Sequence, residues 1–411
     1  MKKLMFLLPV AALMAASCSN EEKLESRNAQ QQAVSFRPLV DRTRGEAVTL
    51  SNLQQFRIFA KGTEALESEF TDIVTDGGDG TWSTQNVHYW NSTAGNETKE
   101  AQFTAVYPAS LMTAFAATTP LDFSSLANGR DQVDVMAAFN TATKATDADN
   151  GVALKFKHAL SQIVVRASNK NTDQRKVEIV GVKIANVKTK HTLYLPVAPT
   201  NGTAAYTPFS GEPTTPIDMI IKGKAADAVT LTSTAQDIMF DGGGFMVIPQ
   251  TFTTADAGNL QSSDTYISVL CRIYVKNETT GAWQLVYPYV AEGTTDNGSF
   301  AFTSVGISGA WEPGKKYTYT LNFYQGTGGS GTVDPDYTDP TDDPDPDPGN
   351  PNDPSEPKQP TPDPENPTPT DPTNPDPTNP DPNPTKVPIF FTVTVDDWTD
   401  ATDGDFNKVM D

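Results

Sequence analysis

Short stretches in which apolar and polar residues alternate recur along most of this chain. Alternation with a period of two places successive side chains on opposite faces of an extended backbone, so each stretch predicts a β-strand. The clearest examples are residues 34–36, 56–59, 103–107, 152–156, 177–179, 265–276, 316–323 and 389–395. Clusters of Gly, Asn and Asp lie between them and predict turns at residues 76–80, 149–151, 241–244 and 296–298. Helical periodicity is confined to residues 110–115 and 134–139, which predict one or two turns at most.

Many strands, few helices and no regular alternation of strand with helix predict an all-β protein built of β-sandwiches. The chain has 411 residues, enough for two or three domains of about 150 residues each. A stretch rich in Pro, Thr and Gly interrupts the strand pattern at residues 196–213, and we place a domain boundary there. The predicted architecture is two tandem sandwiches, one over residues 34–198 and one over residues 199–325 together with 387–411.

Residues 334–388 have a different composition from the rest of the chain. They hold 14 acids, two lysines and 20 of the 32 prolines, with almost no apolar residue. Such a segment cannot bury a core and favours extended polyproline II, with a reach of about 170 Å for 55 residues at ~3.1 Å each. We therefore expect a disordered Pro/Asp-rich insertion before the last strand, within a linker over residues 326–386. The insertion carries −12 of the net charge of −21, and the remaining −9 argues against nucleic acid as a partner.

The first residues have the layout of a secretory signal. Lys2 and Lys3 precede an apolar run over residues 4–14 that is too short to span a bilayer. Small residues then precede Cys18, and this resembles a bacterial lipobox, in which the thiol is acylated and becomes the mature N-terminus. We expect a lipoprotein signal peptide over residues 1–17 and a flexible tether over residues 18–33. The alternative is an ordinary signal peptide with an incidental cysteine.

The tether begins with a polar and acidic segment at residues 19–22. It resembles the surface-export signal of lipoproteins in Gram-negative gut and oral anaerobes, although a plain polar tether is the alternative. The expectation is an outer-membrane lipoprotein that faces outward and is held in the lipid through Cys18, since two acyl chains give stable anchoring.

The sequence contains no residue pattern that predicts catalysis or a cofactor. Two cysteines and three histidines are too few for a disulfide scaffold and for most zinc sites. Cys271 and His158 each continue an apolar stripe, which predicts a buried inert thiol and a hydrogen-bonded core histidine. The glycine pattern at residues 326–331 and the partial P-loop at 309–316 lack the helix that would bind a phosphate. We expect no enzyme, no metal and no cofactor.

One loop has the composition of a calcium site. Asp147, Asp149 and Asn150 could supply oxygen ligands, but the final bidentate acid of an EF-hand is missing. A solvated turn is the favoured interpretation.

Several short motifs occur in a fixed order that is typical of one family. They lie at residues 34–36 with 43–44, and at 80–83, 89–90, 103–108, 134–137, 154–162, 311–319 and 393–398. Together, after a lipobox with an acidic tether, they resemble the fimbrillin family, the pilins and pilus-associated lipoproteins of type V pili. The resemblance covers residues 34–325 and 387–411. The long Pro/Asp-rich insertion is a departure, because the family usually has a short turn there.

The resemblance implies two tandem transthyretin-like β-sandwiches in a lipidated, exported precursor. In members that polymerise, a protease cuts after an arginine and removes the N-terminal strand, and a strand of the next subunit fills the groove. In this chain the cut would follow Arg44, or else Arg42 or Arg27. Other pilus subunits are then the expected partners. The last strand would pair within its own domain near residues 317–323, or alternatively with a neighbouring subunit.

Two main classes of function remain open at this point. The first is a structural or adhesive component of a cell-surface pilus, as a stalk, tip or anchor subunit. The second is a surface lipoprotein that binds glycan or host protein without polymerising. An exposed aromatic platform would indicate the second class, and the candidates are Trp82, Tyr89, Trp90 and Trp283. A secreted hydrolase is a third class, for which no nucleophile–base arrangement is found.

Overall fold

The structure is a computed structural model of the chain. It describes residues 31–40, 53–78, 82–113, 121–202, 206–240, 243–252, 263–288, 300–324, 331–333, 386–387 and 389–397. Within these ranges the chain is almost entirely β-strand, as predicted. No helix in them has the length and apolar character needed to cross a membrane.

The described strands, in chain order, overlap each of the eight predicted strand segments. They are β1 (Ser35–Val40), β2 (Gln55–Lys61), β3 (Phe70–Asp76), β4 (Trp82–Thr84), β5 (Glu100–Tyr107), β6 (Leu121–Ser124), β7 (Met136–Thr143), β8 (Val152–His158), β9 (Ser161–Asn169), β10 (Arg175–Leu193), β11 (Thr214–Lys222), β12 (Val229–Thr230), β13 (Gln236–Asp237), β14 (Phe245–Val247), β15 (Gln250–Phe252), β16 (Tyr266–Lys276), β17 (Trp283–Tyr287), β18 (Ala301–Gly306), β19 (Gly309–Trp311), β20 (Lys315–Phe323), β21 (Gly331–Val333), β22 (Lys386–Val387) and β23 (Ile389–Asp397). The helical segments are α1 (Lys144–Asp147) and two 3-10 turns, Gly129–Asp131 and Ala225–Asp227.

Seven strands of the N-terminal part close into a barrel in the order β1-β4-β3-β2-β5-β7-β8. Six of the neighbouring pairs are antiparallel, whereas β1 and β8 pair in parallel and complete the circle. Inward-facing side chains from these strands form one core, which includes Phe36, Phe56, Phe103 and Phe156. A sandwich was predicted for this part, and its described strands pair around a closed circle. The closing pair joins residues more than 110 positions apart, and local alternation does not encode such a pairing.

Most strands from residue 161 onward, together with β6, form two larger sheets that face each other, and β15 pairs with β19 in a separate two-stranded sheet. One sheet follows the path β11-β10-β16-β18-β21-β22, and the other follows β13-β9-β20-β23. Buried side chains from both sheets belong to a single core, including Val165 and Tyr319 from one and Val182 and Val269 from the other. This is the sandwich predicted for the C-terminal part.

The last barrel strand, β8, ends at His158, and the strands that follow it pair outside the barrel, although β6 already pairs with β10 of the sandwich. The predicted boundary at residues 196–213 assigned β9 and β10 to the N-terminal domain. These strands instead pair with β20 and β16 of the sandwich. The Pro-rich stretch at 196–213 is the connection between β10 and β11, because a connection needs the same turn-forming residues as a domain linker. The predicted limits at residue 198 therefore do not coincide with the change in strand pairing.

Residues 134–139 were predicted as a short helical turn, and this prediction is wrong. Residues 136–139 begin β7, which pairs with β5 over eight residue pairs. Both faces of this segment are buried, so the alternation that marks a half-buried strand is lost. The α-helix in the described chain, α1, follows β7 directly, and Thr143 caps it by accepting a hydrogen bond from the N–H of Thr146.

Candidate functional site

β1 closes the barrel and is the first strand of the described chain. It pairs with β8 over five residue pairs, from Phe36 opposite Val152 to Val40 opposite Phe156. Its pairing with β4 involves only Ser35 and Phe36. Pro38 within β1 has no N–H to donate to either neighbour. In the described structure, β1 is therefore held mainly from one side by an incomplete ladder of backbone hydrogen bonds.

The apolar side chains of this segment fill the barrel interior. Val34, Phe36 and Val40 are each no more than 3% exposed and belong to the barrel core. The Phe36 ring makes edge contacts with Phe56 and Phe103, at centroid distances of 6.3 and 5.8 Å. At 1.5–3 kcal/mol for each buried side chain, these three contribute roughly 4–9 kcal/mol. The barrel core therefore depends on a strand that, among the described residues, pairs with β4 at only two positions.

The residues just before β1 are held by the loop that follows β4. The N–H of Val34 donates to the carbonyl of His88 at 2.8 Å, and the N–H of Trp90 donates to the carbonyl of Gln32 at 3.0 Å. The side-chain amide of Gln32 also donates to Asp149 at 2.5 Å, in the turn before β8. These bonds fix the entry of the chain into β1.

Gly151, directly before β8, lets β1 approach the start of its parallel partner. Its φ is +73°, and a Cβ there would lie 3.2 Å from the carbonyl carbon of Phe36 and 3.3 Å from its nitrogen. Glycine accepts this left-handed conformation and this close approach without cost, whereas other residues do not. The predicted turn at residues 149–151 therefore also seats β1.

A buried carboxylate orders the loop that holds Val34. Asp72 is 6% exposed, and one of its oxygens accepts from the backbone and side-chain N–H groups of Asn86, at 2.9 and 3.1 Å. The same oxygen is 3.0 Å from Nε2 of His88, and the other oxygen accepts from the N–H of Ile73. Burial acts to raise the pKa of Asp72, but the hydrogen bonds from Asn86, Ile73 and His88 outweigh it and hold this pKa below its usual value. No sequence pattern indicates this network, because Asp72 and His88 lie on different elements.

The last described strand, β23, lies at the edge of one sheet of the sandwich. β23 pairs antiparallel with β20 over nine residue pairs, from Lys315 opposite Asp397 to Phe323 opposite Ile389. On its other side β20 pairs in parallel with β9. This intramolecular pairing is the arrangement we favoured for the last strand.

The turn between β19 and β20 is fixed by two tyrosine hydroxyls. Nε1 of Trp311 donates to the hydroxyl of Tyr319 at 3.1 Å, and the N–H of Glu312 donates to the hydroxyl of Tyr317 at 2.9 Å. Burial raises the pKa of Tyr319 to about 12. The motif at residues 311–319 therefore has a structural role, because it fixes the turn that leads into β20, the strand with which β23 pairs.

The residues predicted for acylation and cleavage lie outside the described residues. This holds for Cys18, Arg27, Arg42 and Arg44. Arg42 and Arg44 fall in the connection that follows β1, between residues 40 and 53. Acylation and cleavage at these positions stay predictions.

The structural roles predicted for Cys271 and His158 are confirmed. Cys271 is fully buried in the sandwich core, and this burial raises the pKa of its thiol. His158 is also buried, and its Nδ1 lies 2.7 Å from a carboxylate oxygen of Asp134. Across the described ranges, no group of three or more His, Cys, Asp or Glu side chains could hold a metal ion.

Two members of the suggested aromatic platform belong to the barrel core instead. Trp82 is 6% exposed and stacks on Phe56, and Trp90 is fully buried against Phe103. Trp283, in β17, is 39% exposed and remains accessible at the surface.

The described chain is therefore an all-β protein made of two parts. One is a closed barrel that contains β1, and the other is a sandwich of two sheets, one of which ends in β23. Residues 43–335 match the model of the Fimbrillin-like family, and the chain belongs to this family. It is accordingly a pilus or adhesion protein of the cell surface, from a family of structural and adhesion proteins rather than enzymes.

Solved structures with a similar fold include two with fimbrial names. A fimbrial protein from Bacteroides vulgatus shares 15% sequence identity at a TM-score of 0.44, covering 70% of this chain and 94% of that one. A fimbrilin from Porphyromonas gingivalis shares 14% identity at a TM-score of 0.32, covering 71% of this chain and 89% of that one. No curated protein matches the sequence.

Proposed function

We propose that this chain is a structural or adhesive pilus subunit that assembles by exchange of its first strand. The observation that carries the proposal is the position of β1, which supplies core side chains but few backbone bonds. It would act as a stalk, tip or anchor subunit. We also propose that its two strand systems correspond to tandem transthyretin-like domains.

Loss of β1 would open a groove along β8. The backbone groups of Val152–Phe156 that face β1 would lose their partners, and the pockets of Val34, Phe36 and Val40 would empty. The apolar term alone is roughly 4–9 kcal/mol, comparable with the whole stability of a typical domain at about 5–15 kcal/mol. A barrel without β1 would therefore require another strand in its place.

A strand from a neighbouring subunit could occupy this groove more favourably than β1 does. β1 pairs in parallel with β8, and parallel pairing is slightly less stable per residue than antiparallel pairing. Pro38 also removes one donor, worth about 0.5–1.5 kcal/mol net. An antiparallel strand without proline would restore the ladder and fill the same apolar pockets.

Release of β1 would follow a cut after Arg44, or else after Arg42. A cut after Arg27, the other predicted position, would remove the lipidated end but leave β1 in the subunit. Acylation of Cys18 would hold the precursor in the outer membrane until that cut. In an anchor subunit the lipidated N-terminus would persist instead.

The acylation of Cys18 is tested separately. The Cys18→Ala precursor should neither incorporate labelled palmitate nor stay membrane-bound.

The test uses the full-length precursor and an arginine-specific protease. Treatment should produce a ladder of SDS-resistant oligomers on a gel, whose subunits begin after residue 44. A variant with Arg27→Ala, Arg42→Ala and Arg44→Ala should give no ladder, whereas Arg37→Lys, which keeps the charge within β1, should assemble normally. Ladder formation by the triple variant with an intact N-terminus would overturn the proposal.

A further inference from the structure

In the sheet that contains β10, β16 and β17, the face that points away from the sandwich core carries a cluster of cations and aromatic rings, in which Glu178 and Tyr274 are buried and Trp283 is exposed. We call it the basic face, and it is formed by β10, β16 and β17 through Lys176, Glu178, Arg272, Tyr274, Lys276 and Trp283. The strand register brings these side chains together, because Lys176 lies opposite Tyr274, Glu178 opposite Arg272, and Lys276 opposite Trp283. The alternate residues of β16, Cys271 and Ile273, point into the core.

The contacts within the basic face leave an excess of positive charge. Glu178 pairs with both Lys176, at 3.0 Å, and Arg272. The ammonium group of Lys176 lies 4.0 Å from the ring centroid of Tyr274, and that of Lys276 lies 5.9 Å from the ring of Trp283. Three cations against one acid give +2, and Glu278 in the connecting turn lowers this to +1. The remainder of the chain is acidic, so this face is a local exception.

β21, after which the Pro/Asp-rich segment begins, belongs to the same sheet as the basic face. Val333, at the end of β21, lies opposite Thr303 of β18, which lies opposite Val269 of β16. Two successive antiparallel pairings make β21 run in the same direction as β16. At Val333, β21 is therefore directed toward the end of β16 that carries Lys276.

The distance involved is within reach of a short part of the segment. Seven residues of β16 at about 3.3 Å each separate Val269 from Lys276, or roughly 23 Å along the sheet. Two strand spacings of about 4.8 Å add roughly 10 Å across it. Eight to ten residues in polyproline II at ~3.1 Å per residue are sufficient for this span.

We propose that residues 334–347 of this chain dock on its own basic face. Seven aspartates lie in this stretch, and four prolines lie between them. The carboxylates complement Lys176, Arg272 and Lys276, while proline rings pack on the accessible ring of Trp283, as in other sites that bind polyproline II. The covalent tether supplies an effective concentration in the millimolar range, so individually weak contacts suffice. This inference does not depend on strand exchange.

Paramagnetic relaxation in the full chain with Cys18→Ala tests the docking. A nitroxide is attached at Thr341→Cys, since Cys271 is buried, and the tryptophan indoles are labelled with ¹⁵N. At low salt the indole signal of Trp283 should lose more than half of its intensity, whereas that of the buried Trp311 serves as an internal reference. The loss should at least halve in 0.5 M NaCl, because salt screens the ion pairs.

Charge variants separate docking from mere proximity of the tether. Lys176→Gln with Lys276→Gln removes two charges but keeps the pair of Glu178 with Arg272, and should restore the Trp283 signal at least twofold. Lys99→Gln with Lys188→Gln removes the same charge elsewhere and should leave the broadening unchanged. Unchanged indole signals of Trp82 and Trp90 would show that the barrel is still folded.

Three results would overturn the proposal. The first is equal broadening of Trp283 in the parent and in the variant that lacks the two basic-face lysines. The second is broadening that arises only between a spin-labelled copy and a separate ¹⁵N-labelled copy, which would assign the face to a neighbouring molecule. The third is a change in the Trp283 indole signal when polygalacturonate is added, together with nitroxide broadening that does not depend on the charge of the basic face. This result would assign the face to acidic glycans.

Discussion

Replacing Phe36 by alanine should affect the precursor and the assembled pilus differently. Phe36 is 3% exposed and contacts Phe56 and Phe103 in the barrel core. Truncation of a buried phenylalanine costs about 3–5 kcal/mol. If β1 is removed during assembly, this cost applies to the precursor alone, because the assembled subunit no longer contains residue 36.

Hydrogen exchange of the precursor measures the first half of this prediction. A loss of 3–5 kcal/mol raises the open population of the barrel by about 10²- to 10⁴-fold, and amides of β2 and β5 should exchange faster by that factor. Amides of β16 in the sandwich should be unaffected and serve as an internal control.

The temperature at which the SDS-resistant ladder collapses measures the second half. Phe36→Ala should leave this temperature within error of the wild type once the precursor has been cleaved. Phe103→Ala removes a fully buried ring of β5 that stays in the subunit, so it should lower both precursor and polymer stability. Equal loss of polymer stability in the two variants would refute the removal of β1.

Three further outcomes follow from the described contacts. Gly151→Ala should loosen β1 and speed cleavage of the precursor by an arginine-specific protease. Gly95→Ala is the control, because Gly95 has a similar φ of +88° but no atom lies within 4 Å of the position its Cβ would take. Equal cleavage rates in the two variants would contradict the role of the close contact at Gly151. Cys271 should resist a polar thiol reagent in the native protein and react after unfolding, because burial raises its pKa and hides the thiolate, and rapid native labelling would contradict its place in the core. The pKa of Asp72 is lower in the folded state than its unfolded value near 3.8. The stabilisation by the ionised Asp72 is therefore complete above pH 3.8 and is lost as the pH falls below that value. Asp72→Asn should flatten this part of the pH–stability curve, and an unchanged curve would contradict the assignment.

The strands could be predicted from the sequence because each one encodes its own alternation. The stripe that contains Cys271 and the stripe that ends at His158 were assigned to the core correctly for this reason. β7 was missed because both of its faces are buried at its start, and a short apolar run has no period that separates strand from helix.

Pairings between distant strands could not be predicted in this way. The barrel closes through β1 and β8, and β9 and β10 pair with strands that follow much later in the chain. The network of Asp72 with His88 depends on the same long-range geometry. By contrast, the pairing of β23 with β20 was expected from the resemblance to the family, which supplies information that local periodicity lacks.

The mass and N-terminal sequence of subunits taken from assembled pili test the central proposal most directly. Subunits that have exchanged their first strand should begin after Arg44, or after Arg42, and should lack residues 35–40 altogether. Polymerised stalk subunits that still contain an intact β1 would contradict assembly by strand exchange at this groove.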